Sequence, residues 1–120
     1  MSTATEVAKL CIALDRKVHE YAELATARAG AEVDFKVARA QRIMRARSDG
    51  AKSIAEAETT ATADPAVESL WRVYLIADGS ADACGKSIGA LRERIGFGRS
   101  LIATERAADS LHADGVGGAA

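Results

Sequence analysis

Arginine is the residue type in this chain best placed to do chemistry. Arg28, Arg39, Arg42, Arg45 and Arg47 form one group with Lys36. Arg92, Arg94, Arg99 and Arg106 form a second with Lys86, around Gly96-Phe97-Gly98. A guanidinium grips phosphate oxygens two at a time, and an exposed Phe97 ring would stack on an unpaired base. Arg39, Arg42, Arg45, Arg92 and Arg99 are therefore the candidate nucleic-acid contacts, with single-stranded nucleic acid the fitting partner. The competing reading is a solvated helix face balanced by acidic neighbours. Charge favours that reading, since 16 Lys and Arg stand against 17 Asp and Glu, for a net −1. A uniformly basic nucleic-acid module is excluded.

Other constellations lead nowhere. Gly85-Lys86-Ser87 follows the apolar run Val73-Tyr74-Leu75-Ile76 and resembles a phosphate-binding loop, but the first glycine of that motif would fall on Ser80. His19 and His112 are the only histidines and lie far apart in the chain. No carboxylate pair, Ser/His/Asp set or metal-ligand spacing stands out. Cys11 and Cys84 form neither a disulfide framework nor a CxxC pair, and both fall on apolar faces as small hydrophobes. The expectation is a protein with no catalytic residues, no metal and no cofactor.

The elements that must position the arginines are helices. From about residue 3 to 47 there is no proline, and Val7, Leu10, Leu14, Val18, Tyr21 and Leu24 recur at steps of three and four. The stripe is expected to drift around the axis through Val33, Val37, Ala40 and Met44, giving one helix of roughly 65 Å. Ser48-Asp49-Gly50 reads as a turn with a left-handed glycine cap, and Ser53 and Glu56 have capping-box spacing for a short helix from Ile54 to about Thr60. Asp64-Pro65 then starts a second long helix, to about residue 108. Leu70, Tyr74, Ala77, Ala81, Cys84, Ile88, Leu91, Ile95, Gly98 and Ile102 alternate steps of four and three along it, a heptad seam. A break is open near Gly79 or at Gly96-Gly98. Gly85, Gly89 and Gly96 fall close together on a face where a neighbouring helix could come near. Residues 114–120 are expected to be a disordered tail.

These pieces predict an all-α fold: one domain over 1–113, with a helix at 3–47, a connector at 48–64 and a helix at 65–108, the two long helices forming an extended antiparallel hairpin. With the bend centred near residue 56, facing positions would total about 112. Charge supports the antiparallel sense. Six basic against two acidic residues in 28–47 face an acidic excess in 65–84, and four acidic against three basic residues in 6–26 face a basic excess in 86–106. Trp71, Tyr74 and Tyr21 are read as seam anchors. Leu70, Tyr74, Ile88, Leu91, Ile95 and Ile102 are the candidate interface residues. Aromatics are only 4% of the chain, so the core is thin. Val33, Val37 and Ile43, with Val73, Leu75 and Leu101, widen the apolar faces beyond two helices. A homodimer forming a four-helix arrangement is expected.

The segment from Ala31 to Ala40, the polar Ser48-Asp49-Gly50-Ala51-Lys52-Ser53 turn and the stretch from Ile88 to Arg106 together resemble the small helical accessory proteins of tailed bacteriophages and prophages, often encoded beside recombination and single-strand-binding genes. The resemblance covers roughly residues 15–107. It implies a non-enzymatic adaptor in DNA recombination or replication, in the host cytoplasm, working through a protein partner. The alternative is a structural or host-takeover protein that blocks a bacterial defence or replication factor. No apolar run approaches a membrane span, and no membrane partner is expected. Tyr74 and Asp78 also have the Tyr-x-x-x-Asp spacing of small helical-hairpin proteins exported by actinobacterial secretion systems, without their Trp-x-Gly turn.

Overall fold

The computed structural model describes residues 2–119 and contains three helices: α1 (Thr3–Ser48), α2 (Ile54–Ala63) and α3 (Pro65–Ala119). There is no strand among the described residues. Each helix boundary has a local cause. At the start of α1 the Ser2 hydroxyl accepts the Thr5 amide at 3.1 Å. At its end the Ala51 amide donates to the Ala46 carbonyl at 2.9 Å and the Gly50 amide to Arg47 at 3.3 Å. Gly50 has φ +107°. This pair of bonds closes the helix in a left-handed glycine cap, as the Ser-Asp-Gly turn predicts. Ser53 caps α2 through the Glu56 amide at 3.1 Å, and the Glu56 carboxylate reaches back to the Lys52 amide at 3.0 Å. Asp64 then caps α3, its Oδ1 accepting the amides of Ala66 at 2.9 Å and Val67 at 3.2 Å, with Pro65 in the first turn.

The chain divides into two compact units. Unit 2, residues 20–84, holds the bend and the arms beside it. Its contacts across the arms are Arg28 with Asp78, Phe35 with Trp71 and Arg42 with Asp64, and the residue numbers total 106 in all three. The arms are therefore antiparallel, but six positions off the expected register of 112. The cause is α2. It does not sit in the middle of a connector but already belongs to the returning arm, so the reversal is completed between Ser48 and Ser53. Ala57 and Ala61 of α2 are fully covered, and Ala46 of α1 is buried. A side chain as small as alanine is covered only where a neighbouring helix comes close.

Unit 1 pairs residues 1–19 with 85–120. Here Thr3 donates to the Glu105 carboxylate at 3.0 Å, again antiparallel. Gly98 is buried, and a Cβ built on it would lie 2.5 Å from Cγ2 of Val7. The close helix approach is thus at Gly98. Gly89 and Gly96, expected to serve that purpose, are exposed with nothing within 4 Å of such a Cβ.

All ten heptad positions of α3 from Leu70 to Ile102 are buried or half-buried. The helix runs unbroken past Gly79, Gly96 and Gly98. It also continues beyond 108 to Ala119, so the tail expected to lose order from Asp114 is helical backbone, and Ala120 lies outside the described residues. Residues 103–115 are all exposed.

On α1 the seam does not drift. Leu24, Arg28, Ala31, Phe35, Ala38 and Arg42 are buried or half-buried at steps of four and three, whereas Val33, Val37, Ala40 and Met44 are exposed. Val18 is exposed too, and Lys17 covers its turn of the seam. No helix of the described residues is long and apolar enough to cross a membrane.

Candidate interaction surfaces

The arginines divide between the two units. In unit 2, Arg42 Nε donates to Asp64 Oδ2 at 3.0 Å, with both side chains about three-quarters covered, and its Nη1 is buried without a partner. The Asp64 carboxyl is held below its ordinary range, first by the Val67 amide and then by the Arg42 guanidinium and the Ala66 amide, against the opposing effect of its partial burial. Arg42 is therefore a structural clamp on the α2–α3 junction. Arg28 plays a similar part. It approaches Asp78 at 3.7 Å, and its pKa is raised, chiefly by the Tyr21 hydroxyl and then by Asp78 and Tyr74. Asp78 is thus engaged inside the hairpin arms, and Tyr74 sits half-buried on the seam.

Arg39 is half-buried at the edge of a groove formed by Phe35, Thr62, Val67, Glu68 and Trp71. Arg45 is exposed and borders a smaller cavity with Gln41, Arg42 and Asp64. Lys36 folds back on Glu32 at 2.7 Å. In unit 1, Arg92 and Arg99 are exposed and seven residues apart, with Arg106 a further seven on, so the three lie in one row along α3. The structure gives Arg92, Arg99, Arg45 and Arg47 no ion pair among the described residues.

The six candidate interface residues occupy the covered stripe of α3. Ile88 and Ile95 are buried; Leu70, Tyr74, Leu91 and Ile102 are half-buried. They pack against α1 inside each unit and leave little surface for another chain. The apolar surface lies elsewhere. Val33, Val37 and Met44 on α1 are 59%, 49% and 70% exposed, and Val73, Leu75, Ile76 and Phe97 on α3 are also exposed. In unit 1, Val7, Leu10, Phe97 and Leu101 line an open groove of about 460 Å³ edged by Glu6, Glu93 and Arg94. The buried hydrophobic set is small among the described residues: Ala31, Ala46, Ala57, Ala61, Val67, Ala81, Cys84, Ile88 and Ile95. No large side chain among them is fully covered.

Two features are not evident from the sequence. One is the aromatic cluster in which Phe35 and Trp71 meet at 4.9 Å between centroids and Trp71 and Tyr74 at 5.6 Å. Its signal was the seam register, which a bend centred at 56 misplaced. The other is the clamp role of Arg42, whose signal was the capping aspartate at the junction. Cys84 is buried and Cys11 half-buried, both as free thiols. Among the described residues no three His, Cys, Asp or Glu side chains come together to hold a metal. No family model, curated protein or solved structure matches this chain.

Proposed function

We propose that this chain is a non-enzymatic helical adaptor that works through its outer helix faces, completed by a second copy of itself, in the setting of DNA recombination or replication that its resemblance to tailed-phage helical proteins implies. One observation carries the proposal. The large apolar side chains lie mostly outside the core, while five of the nine buried hydrophobic residues are alanine and a sixth is cysteine. A helical chain built this way stabilises itself weakly and offers apolar surface to a partner.

The row of Arg92, Arg99 and Arg106 supports contact with single-stranded DNA as a secondary property, because these guanidinium groups are exposed on one line of α3. Arg42 is removed from that set, since its charge is committed to Asp64. Fluorescence anisotropy with a labelled single-stranded oligonucleotide at two salt concentrations tests the DNA arm. Binding that weakens steeply with salt and falls in Arg92→Ala/Arg99→Ala supports it. No binding at low salt removes it and leaves contact between proteins as the function.

A further inference from the structure

We infer that the groove beside Arg39 in unit 2 receives one base of a single-stranded nucleic acid, with the base against Trp71 and Phe35 and the adjoining phosphodiester on the Arg39 guanidinium. The inference rests on the single-strand contact proposed above and assigns where a base sits. Phe35, Arg39, Thr62, Val67, Glu68 and Trp71 line the groove, which has a volume of about 330 Å³. That lies at the lower end of small-ligand sites and suits a single base. Its wall is aromatic, because Phe35 and Trp71 meet at 4.9 Å between centroids. Trp71, expected to anchor the seam, stands one residue off the half-buried Leu70 and is itself 40% exposed. Tryptophan is on average a well-buried residue, so an indole left open to a groove is available for stacking.

Charge says what the base brings with it. The Arg39 guanidinium belongs to a half-buried residue and has no hydrogen bond or ion pair among the described residues. The carboxylate in the same groove, Glu68, is already held by Arg72, through Nη2 at 2.8 Å and Nε at 3.3 Å. Arg39 is thus a partly desolvated cation without an anion, and a guanidinium meets phosphate oxygens two at a time. A strand fits better than a free nucleotide for two reasons. One unpaired cation matches the single charge of a phosphodiester, whereas a phosphomonoester carries nearly two. Arg39 and Thr62 also border a second depression, of about 540 Å³, with Glu58 and Thr59 in its lining. A phosphate on Arg39 therefore lies between two adjoining spaces, one for the base on Trp71 and one for the next nucleotide. Glu58 makes the second space a place for an uncharged base and not for another phosphate.

Trp71 is the only tryptophan, so its emission reads the groove directly. The full-length chain is titrated at two salt concentrations with a labelled oligothymidylate of about ten nucleotides. Tryptophan emission and the anisotropy of the label are followed together. The expected result is saturable quenching of Trp71 that tracks the anisotropy and weakens with salt. Arg39→Gln, which keeps much of the stem and drops the charge, should lower affinity at least fivefold, with circular dichroism showing that the fold is kept. Arg45→Gln, at an exposed arginine outside the groove, should lower it less than twofold. Equal losses in the two variants would reduce the effect to general charge and overturn the site. Anisotropy that rises without quenching would place the strand elsewhere, overturning this inference while leaving the single-strand contact intact. Quenching by thymidine monophosphate at the same affinity as the oligonucleotide would overturn the strand in favour of a small ligand. No binding at low salt would overturn the single-strand contact, and this inference with it.

Discussion

Val7 and Gly98 mark a close approach of the two arms in unit 1: a methyl group added at Gly98 would stand 2.5 Å from Cγ2 of Val7. The glycine is there because the neighbouring helix leaves no room. Gly98→Ala should therefore lose about 1 kcal/mol or more, the cost of overpacking exceeding the gain in helix propensity. Gly89→Ala and Gly96→Ala, whose added methyls meet nothing within 4 Å, should each gain up to about 1 kcal/mol. Urea denaturation of the three variants measures the contrast. Equal effects of one sign would remove the close approach.

The junction of α2 and α3 should be sensitive to acid. The Asp64 carboxyl is held below its ordinary value of 3.8 by the Val67 amide first, then by Arg42 and the Ala66 amide. A lowered folded-state pKa means that the ionised group stabilises the fold above the unfolded value, and that this contribution is lost as pH falls through the folded value. Asp64→Asn should thus be less stable than the wild type by a constant amount above about pH 5, with the gap closing below about pH 4. A gap that stays constant down to pH 2 would show that the charge contributes nothing.

Trp71 is the only tryptophan, so its fluorescence reports on unit 2 alone. Phe35→Ala removes its ring neighbour at 4.9 Å and should shift the emission and cost at least about 1 kcal/mol. Phe97→Ala, at a side chain 68% exposed, should change stability by less than about 0.5 kcal/mol. Thermal melts followed at both tryptophan emission and far-UV circular dichroism check the pair.

Much of this was legible in the residues, and the failures share a physical origin. The heptad of α3 is readable because Leu70 and Tyr74 mark its start and Ile88, Leu91, Ile95 and Ile102 mark its later turns. The seam of α1 past Leu24 was not, because Arg28, Ala31, Ala38 and Arg42 carry it. An arginine can cover a seam with its methylene stem while its head finds a carboxylate, and hydrophobicity does not register that. The more conspicuous Val33, Val37 and Met44 lie on an exposed face. Register failed for a related reason. The caps at Ser53 and Asp64 are legible in the residues, but caps mark where helices begin and not which arm they join, so the sequence alone does not tell α2 as connector from α2 as part of the return. The arginine candidates were legible only by type. Which of them are committed to a carboxylate depended on the register.

Self-association is the central claim, and molar mass in solution tests it most directly. Sedimentation equilibrium of the full chain from about 1 to 50 µM should give a mass of twice 12.5 kDa at the upper concentrations, falling towards one chain at the lower if the dimer is of ordinary strength. A mass of one chain across the whole range, with the helical circular dichroism signal intact, would contradict it.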